Sequence, residues 1–564
     1  MHSLTLANNA SDLFAHFREM LTLQRWSPTD PGHGAYISPA FDLSDAAAGG
    51  TPNMVATFLL LWATQEKYDI GAQPFLRDQI GRMEAATDFL LRAQRPSGCI
   101  DFLTCNIDSA PDTAFSVTPM ALGYQHLAAA GFPAELEALR AKLAVFIRKA
   151  AQGLINGGVH TPNHRWVVTA ALVLIQKLFP DVNARPTAEA YLAETIDIND
   201  EGFFIERSAA VYDAVCDRSL FLIDACFDFP AAREAALRNL RLNLNMLSED
   251  GTIETGLSHR QDFGIRSVPS SLAPCYLRAF ALTGEVPFLT AAQSIYAGTK
   301  AAPPQPQAAV PSVWLANEFL LGVPYPARAV VANEHLLNGT LYLSDAGYWR
   351  VSGEAFTVSS FRGRSHLLAF RTGQAELASL QIAQTYLGQG QFTGNIMQAD
   401  ATSLSLRYSG IRSGWPAPSY RKALGHPVPM EQWDAVSAQR ATVPMPPAGG
   451  ELQVKVEAQG LALQFLPDLI PSGVPGQIAL DFPPGGTWEC DGVRLKPQPG
   501  QVLFLTSGFG RMSYGTDTIE VGPGHYSHGT WAMRDAQGPA TCVRVLITFL
   551  SPHAHAFSIR RSSN

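Results

Sequence analysis

The sequence predicts an α+β multidomain chain, an N-terminal α/α toroid (an incomplete barrel) followed by a C-terminal antiparallel β-sandwich. Three observations predict it. Apolar residues recur at helical spacing over roughly the first 300 positions. A proline-rich stretch, KAAPPQPQAAVP at 300–311, then interrupts the pattern. From about position 338 apolar and polar residues alternate, with Gly and Asp at the turns. The expected domains are 1–324 for the toroid and 325–564 for the sandwich.

Taken in order, 52–68, 75–94, 118–131, 133–154 and 158–179 read as helices, followed by 208–227, 231–247 and 271–284. Gly, Pro, Asn and Asp separate them. Helices in such close succession suit stacked antiparallel pairs. No exact repeat is present, which disfavours a regular solenoid. One further helix is expected after the linker, over SVWLANEFLLG. Beyond it, GTLYLSDAGYWRVSGEAFTVSSFRG has hairpin grammar, and strand-like runs continue to AFSIRR near the end.

Composition narrows the function. Of the 564 residues, 46% are hydrophobic and 16% charged, as suits large packed cores rather than disorder. A net charge of −8 provides no global basic field for nucleic acid. The longest apolar runs fall far short of the ~20 residues a membrane span needs. The seven cysteines form no CxxC or paired Cys/His spacing. Reduced thiols and a cytoplasmic location are the expectation, because the N-terminal stretch lacks a basic region followed by an apolar core; a trimmed secreted form fits equally.

Four constellations could carry chemistry. TPNHRW at 161–166 opens an apolar helix. Thr161 suits the N-cap and Pro162 the first helical position, leaving Asn163 and His164 in the first turn, where free backbone N–H groups attract anions. A purely capping turn is the bland alternative. In 200–222, Tyr212 lies one turn into a helix that Ser208 could cap, with Asp213, Asp217 and Arg218 beside it; a phenol can serve as general acid or base where a cation stabilises the phenolate. Arg362, Arg364, His366, Arg371, Arg407, Arg412 and Arg421, with Tyr408, Trp415 and Tyr420, make a locally basic, aromatic zone. Its six Arg face only Glu376 and Asp400 in sequence. Arg forks pair with carboxylates and aromatic faces pack on sugar rings. Finally, a polar loop at 255–264 holds His259, Arg260 and Asp262. The His-bearing segments GHYSHGTW and SPHAHAF have no evident carboxylate partner, and no metal is assigned.

The order Asn163-His164, then Glu206, Ser208 and Tyr212 in EGFFIERSAAVY, then His366 in RSHLLAF resembles the heparinase II/III-like and oligoalginate-type polysaccharide lyases. Those proteins join an α/α toroid to a β-sandwich. The resemblance covers most of the chain in layout, through short motifs. It departs where that family often has a His-x-His-x-Asp-like run with a structural zinc; here one His stands without Asp. The resemblance implies β-elimination at a uronic acid. It casts Asn163 as the carboxylate clamp, Tyr212 as acid and also base, and His164 and His366 as bases or phenolate stabilisers. Arg364 and Arg412 would anchor neighbouring carboxylates, with Arg165, Glu206, His259, Arg260, Trp415 and Tyr420 also at the substrate. The expected partner is an acidic oligosaccharide or polysaccharide, with no cofactor, nucleic acid or membrane; a homodimer is left open. Two other readings stand beside it. An α/α-toroid glycoside hydrolase would use paired carboxylates from Asp108, Asp112, Glu206, Asp213 and Asp217. A non-catalytic carbohydrate-binding protein would bind without turnover.

Overall fold

The computed structural model describes residues 4–39, 42–301, 310–323, 339–386, 390–409, 419–444, 449–468, 471–533, 536, 538–539 and 541–562. The chain divides into two compact units, Met1–Leu336 and Leu337–Asn564.

The first unit is a double ring of helices. In chain order these are α1 (Leu6–Thr22), α2 (Thr51–Tyr68), α3 (Ile80–Ala93), α4 (Ala110–Ala130), α5 (Glu137–Asn156), α6 (Pro162–Leu178), α7 (Arg185–Ala193), α8 (Tyr212–Phe227), α9 (Pro230–Leu244), α10 (Leu272–Thr283), α11 (Val286–Ala301) and α12 (Val310–Leu320). Even-numbered helices pack on one another in sequence, and α12 packs back on α2. Their sequences explain the inner position. α2 is buried continuously from Thr51 to Gln65 and α6 from Trp166 to Ile175, so neither has a polar face to offer water. α5, by contrast, buries Leu139, Leu143, Phe146, Ile147, Ala150 and Leu154, the single stripe of an outer helix. The ring's irregularity falls in the outer layer, where α7 has 9 residues against 20 for α5. Gly123 lets α2 and α4 touch: a Cβ there would lie 2.6 Å from Leu59 Cβ.

α4 departs from expectation. It begins at Ala110, not near Thr118, and carries Pro119 inside it. Ser109 Oγ caps it by accepting from Asp112 N, and Pro111 sits in its first turn. Burial of Ala114, Val117, Met120 and Ala121 then outweighs the interior proline, whose usual cost is about 3 kcal/mol.

The second unit is a β-sandwich. One sheet has eight strands in the order Val502–Phe504, Val543–Leu550, Pro475–Phe482, Ala375–Gln384, Leu368–Thr372, Thr357–Phe361, Tyr348–Ser352, Gly339–Leu343. The other has nine: Ile396–Ala399, Ser403–Tyr408, Gly450–Glu457, Gly460–Pro467, His555–Ser562, Asp517–Gly522, Gly510–Tyr514, Thr487–Cys490, Val493–Leu495. Both inner faces feed one core, with Val358, Leu380 and Ile478 from the first and Leu406, Leu452 and Ile559 from the second. The pairing is antiparallel except at one edge, where Val502–Phe504 runs parallel to Val543–Leu550. Within the first sheet Arg544 and Asp481 are cross-strand partners joined by bonds of 2.7 and 2.8 Å, both nearly fully buried.

The cysteines are all unpaired. Among the described residues no helix is long and apolar enough to cross a membrane, and no group of three or more His, Cys, Asp or Glu could hold a metal.

Candidate active site

Three segments of the helical unit converge: the start of α6, the turn leading into α8, and the loop before α10. α6 begins where Thr161 and Pro162 place it, but Thr161 Oγ1 caps no backbone N–H. It accepts instead from Asn163 Nδ2, at 3.2 Å. Asn163 is wholly buried, and its Nδ2 also donates to Glu206 Oε2 at 2.6 Å. Both amide protons are thus engaged inside the protein, and Oδ1 has no partner. This corrects the expected clamp: an amide with both donors committed has none left for a ligand carboxylate.

Glu206, 5% exposed, is the hub. Its Oε1 takes a 2.7 Å bond from Arg260 Nη1. The Arg260 guanidinium lies 4.5 Å from the centre of the Tyr212 ring, a cation–π arrangement. Gln261 Nε2 donates to the Tyr212 hydroxyl at 2.8 Å, an exposed contact. Tyr212 is the first residue of α8, not one turn inside it, and Ser208 Oγ accepts from its backbone N–H at 3.2 Å.

Asp262 locks the loop to this turn. It accepts from Ser208 Oγ at 3.0 Å, from Ala210 N at 3.3 Å and from Ser258 Oγ. His259 reinforces the lock, its backbone N–H on Glu206 O and its ring Nδ1 on Ile205 O, both at 3.0 Å. The His259 ring contact is therefore to the turn itself.

His164 lies beside this network. Its ring meets His160 edge-on at 4.5 Å and Phe115 at 6.0 Å. Burial, reinforced by His160, pushes its pKa down to about 4, so the imidazole is neutral at neutral pH. Its Nδ1 has no hydrogen-bond partner.

The carboxylates beneath are structural. Asp213 is buried and held by Asn239 and Asn243 at 3.3 and 3.2 Å, and burial raises its pKa to about 6. Asp217 is fully buried with neither oxygen bonded, and burial followed by Asp213 drives its pKa well up. With Glu206 committed to Asn163 and Arg260, three of the five hydrolase carboxylates lie inside the protein.

Other expected residues fall elsewhere. Arg165 is corrected: its fork spans Glu194 and Asp197, each at 3.1 Å, over the Trp166 ring, and so serves the α6–α7 packing. His366 and Arg364 belong to the second unit, between the strands Thr357–Phe361 and Leu368–Thr372, with the His366 ring 5.0 Å from Phe361. Arg412 and Trp415 lie outside the described residues. Tyr420 is described only as a backbone position of the strand Ser419–Arg421. The basic zone is less basic than its sequence. Arg407 pairs with Asp468 at 3.2 Å and Glu451 at 3.7 Å, acids remote in sequence. Arg362 and Arg371 donate to the carbonyls of Asp345 and Gly373. Gln261, His160 and Phe115 were missed. His160 had a readable signal, four residues before His164; Gln261 and Phe115 had none.

In fold the chain is similar to solved polysaccharide lyases. It is similar to the xanthan lyase of Paenibacillus, with a TM-score of 0.54 and 9% identity over 99% of this chain and 57% of that one. It is also similar to a mutant chondroitin AC lyase of Streptomyces coelicolor A3, with a TM-score of 0.50 and 11% identity over 99% of this chain and 80% of that one. The chain thus spans little more than half the length of the xanthan lyase. No protein-family profile and no curated protein matches the sequence.

Proposed function

We propose that this protein is a polysaccharide lyase that cleaves a uronic-acid-containing glycan by β-elimination. The observation that carries the reading is the Tyr212 phenol, bonded at its oxygen by Gln261 and overlain by the Arg260 guanidinium. A phenol held in this way can pass a proton as general acid or base, with the Arg260 guanidinium beside it to face a substrate carboxylate.

The chemistry needs three things. The C5 proton of a uronate is weakly acidic until its carboxylate is neutralised. A base must reach that proton, and an acid must reach the C4 oxygen as it leaves. Arg260 takes over the neutralising role first expected of Asn163. It gives one N–H to Glu206, is 26% exposed, and holds its guanidinium over the phenol ring. Tyr212 serves as base and then acid when both events share one face: the phenolate takes the C5 proton, the C4–O bond breaks as the C4–C5 double bond forms, and the phenol returns that proton to the departing oxygen. Neutral His164 is the alternative base for the opposite face. His366 keeps its place as a candidate base from the sandwich unit through the family resemblance alone.

The burial of Asp213, Asp217 and Glu206 favours this reading over hydrolysis, which needs two carboxyl groups flanking the bond. The test is a near-ultraviolet assay against a panel of uronate-containing glycans. A lyase product conjugates its new double bond to the carboxylate and absorbs there. New reducing ends without absorbance would establish a hydrolase; saccharide binding with neither would establish a binding protein.

A further inference from the structure

The interior of the helical unit continues beyond the Tyr212 site. Phe115, which touches His164, also lines a small void of about 20 Å³ together with Arg218 and Trp314. Arg218 then lines a larger cavity of about 140 Å³, shared by α4, α6, α8, α10 and α12. Cavities of about 150 Å³ accept a benzene-sized molecule.

Its charges do not balance internally. Of the lining carboxylates, Glu318 is paired with Arg278 at 2.7 Å and Asp224 with Arg233 at 3.1 Å. Lys177, which is exposed, donates to the Ala225 carbonyl at 3.4 Å. Arg218 pairs with no carboxylate among the described residues; its guanidinium lies 4.6 Å from the Trp314 ring centre. Arg218 is half-buried, and a ligand carboxylate would give its guanidinium the charge-assisted partner it lacks among the described residues. The remaining wall is mostly apolar, with Leu122, Phe221, Leu222 and Pro274 beside the polar Gln125 and Asn317, and two exposed leucines, Leu282 and Leu321, also line it. Helix carbonyl ends disfavour an anion near them. That orients a ligand with its carboxylate inward at Arg218 and its apolar body toward the leucines.

We propose that this cavity is a second binding site, separate from the Tyr212 site, for a small organic monocarboxylate with an apolar body.

The test titrates the full chain calorimetrically with benzoate and with its neutral isostere benzamide. Benzoate should bind saturably, and benzamide about tenfold or more weaker, the loss expected for one charge-assisted contact. Arg218→Met should weaken benzoate to the level of benzamide. Leu222→Trp, which fills the cavity, should remove both, and Arg260→Met should leave benzoate affinity unchanged. Absence of benzoate binding, equal affinity for the two probes, or benzoate affinity indifferent to Arg218→Met or Leu222→Trp would overturn the proposal. So would loss of binding in Arg260→Met, which would put the ligand at the Tyr212 site. Should Arg218→Met fail to fold, the probe comparison and Arg260→Met still decide.

Discussion

Asn163 donates its side-chain amide to Glu206 Oε2 at 2.6 Å, across 43 positions of sequence. The bond ties the first turn of α6 to the turn before α8. The other oxygen of Glu206 holds Arg260 over Tyr212, so one buried carboxylate sets three of the candidate site's side chains.

Glu206→Gln presents an N–H donor to Arg260 or to Asn163, whichever way the amide turns. Stability should fall by about 1.5–3 kcal/mol, the range for a hydrogen bond to a charged group. The kcat/KM should drop by up to about 10²-fold through misplacement of Arg260. Urea unfolding and steady-state kinetics check the two effects separately.

Tyr212→Phe removes the proposed proton carrier and one exposed hydrogen bond to Gln261. Turnover should fall by about 10²–10⁴-fold, with stability changed by no more than about 1 kcal/mol. Near-normal turnover in a folded variant would end the role assigned to this residue.

Stability against pH should separate His164 from Asp213. The folded pKa of His164 is lowered from 6.5 to about 4, so the unfolded chain protonates first and its contribution is lost as pH falls through that window. Asp213 is raised from 3.8 to about 6, so the folded chain protonates first and stability rises as pH falls from about 6 toward 3.8. The two oppose each other in the natural protein. Relative to it, His164→Gln should gain stability between pH 7 and 4.5, and Asp213→Asn should lose it, each by at most about 3 kcal/mol. Denaturant midpoints at the two pH values test the signs.

Arg165→Met should leave kcat/KM within about threefold, a barrier change below 1 kcal/mol, because its fork serves Glu194 and Asp197. Asp197 keeps its 2.7 Å bond from Trp166 Nε1 but loses its cation while nearly buried, so stability should fall by about 1–3 kcal/mol. A large kinetic loss would return Arg165 to the substrate.

In the sandwich, Asp481→Asn leaves the Arg544 guanidinium buried without its anion. Unfolding followed by circular dichroism should show a loss of about 3–5 kcal/mol.

Much of the architecture was legible because burial repeats along the chain. Helical spacing of apolar residues marked α2 and α6 as helices, and alternation after position 338 marked strands. Pro119 hid the start of α4, since its tolerance depends on neighbours that pack around it. The parallel edge strand Val502–Phe504 is too short for any pattern to reveal its direction. At the site, Asn163, His164, Glu206, Tyr212 and Arg260 were all singled out, yet their connections were not. Arg165, adjacent to the motif, points elsewhere because successive helical side chains diverge by about 100°.

The sequence by itself determined the helical and strand periods, the start of α6 at Pro162, and which residues could do proton chemistry, because these depend on local covalent preferences and spacing. The tertiary structure decided what each group is free to do. It committed both donors of Asn163 and left Arg260 beside the phenol. It also kept His164 neutral and put Asp213 and Asp217 out of reach of solvent. Such outcomes depend on desolvation and on partners tens of residues away, and both exist only once the helices pack into a ring.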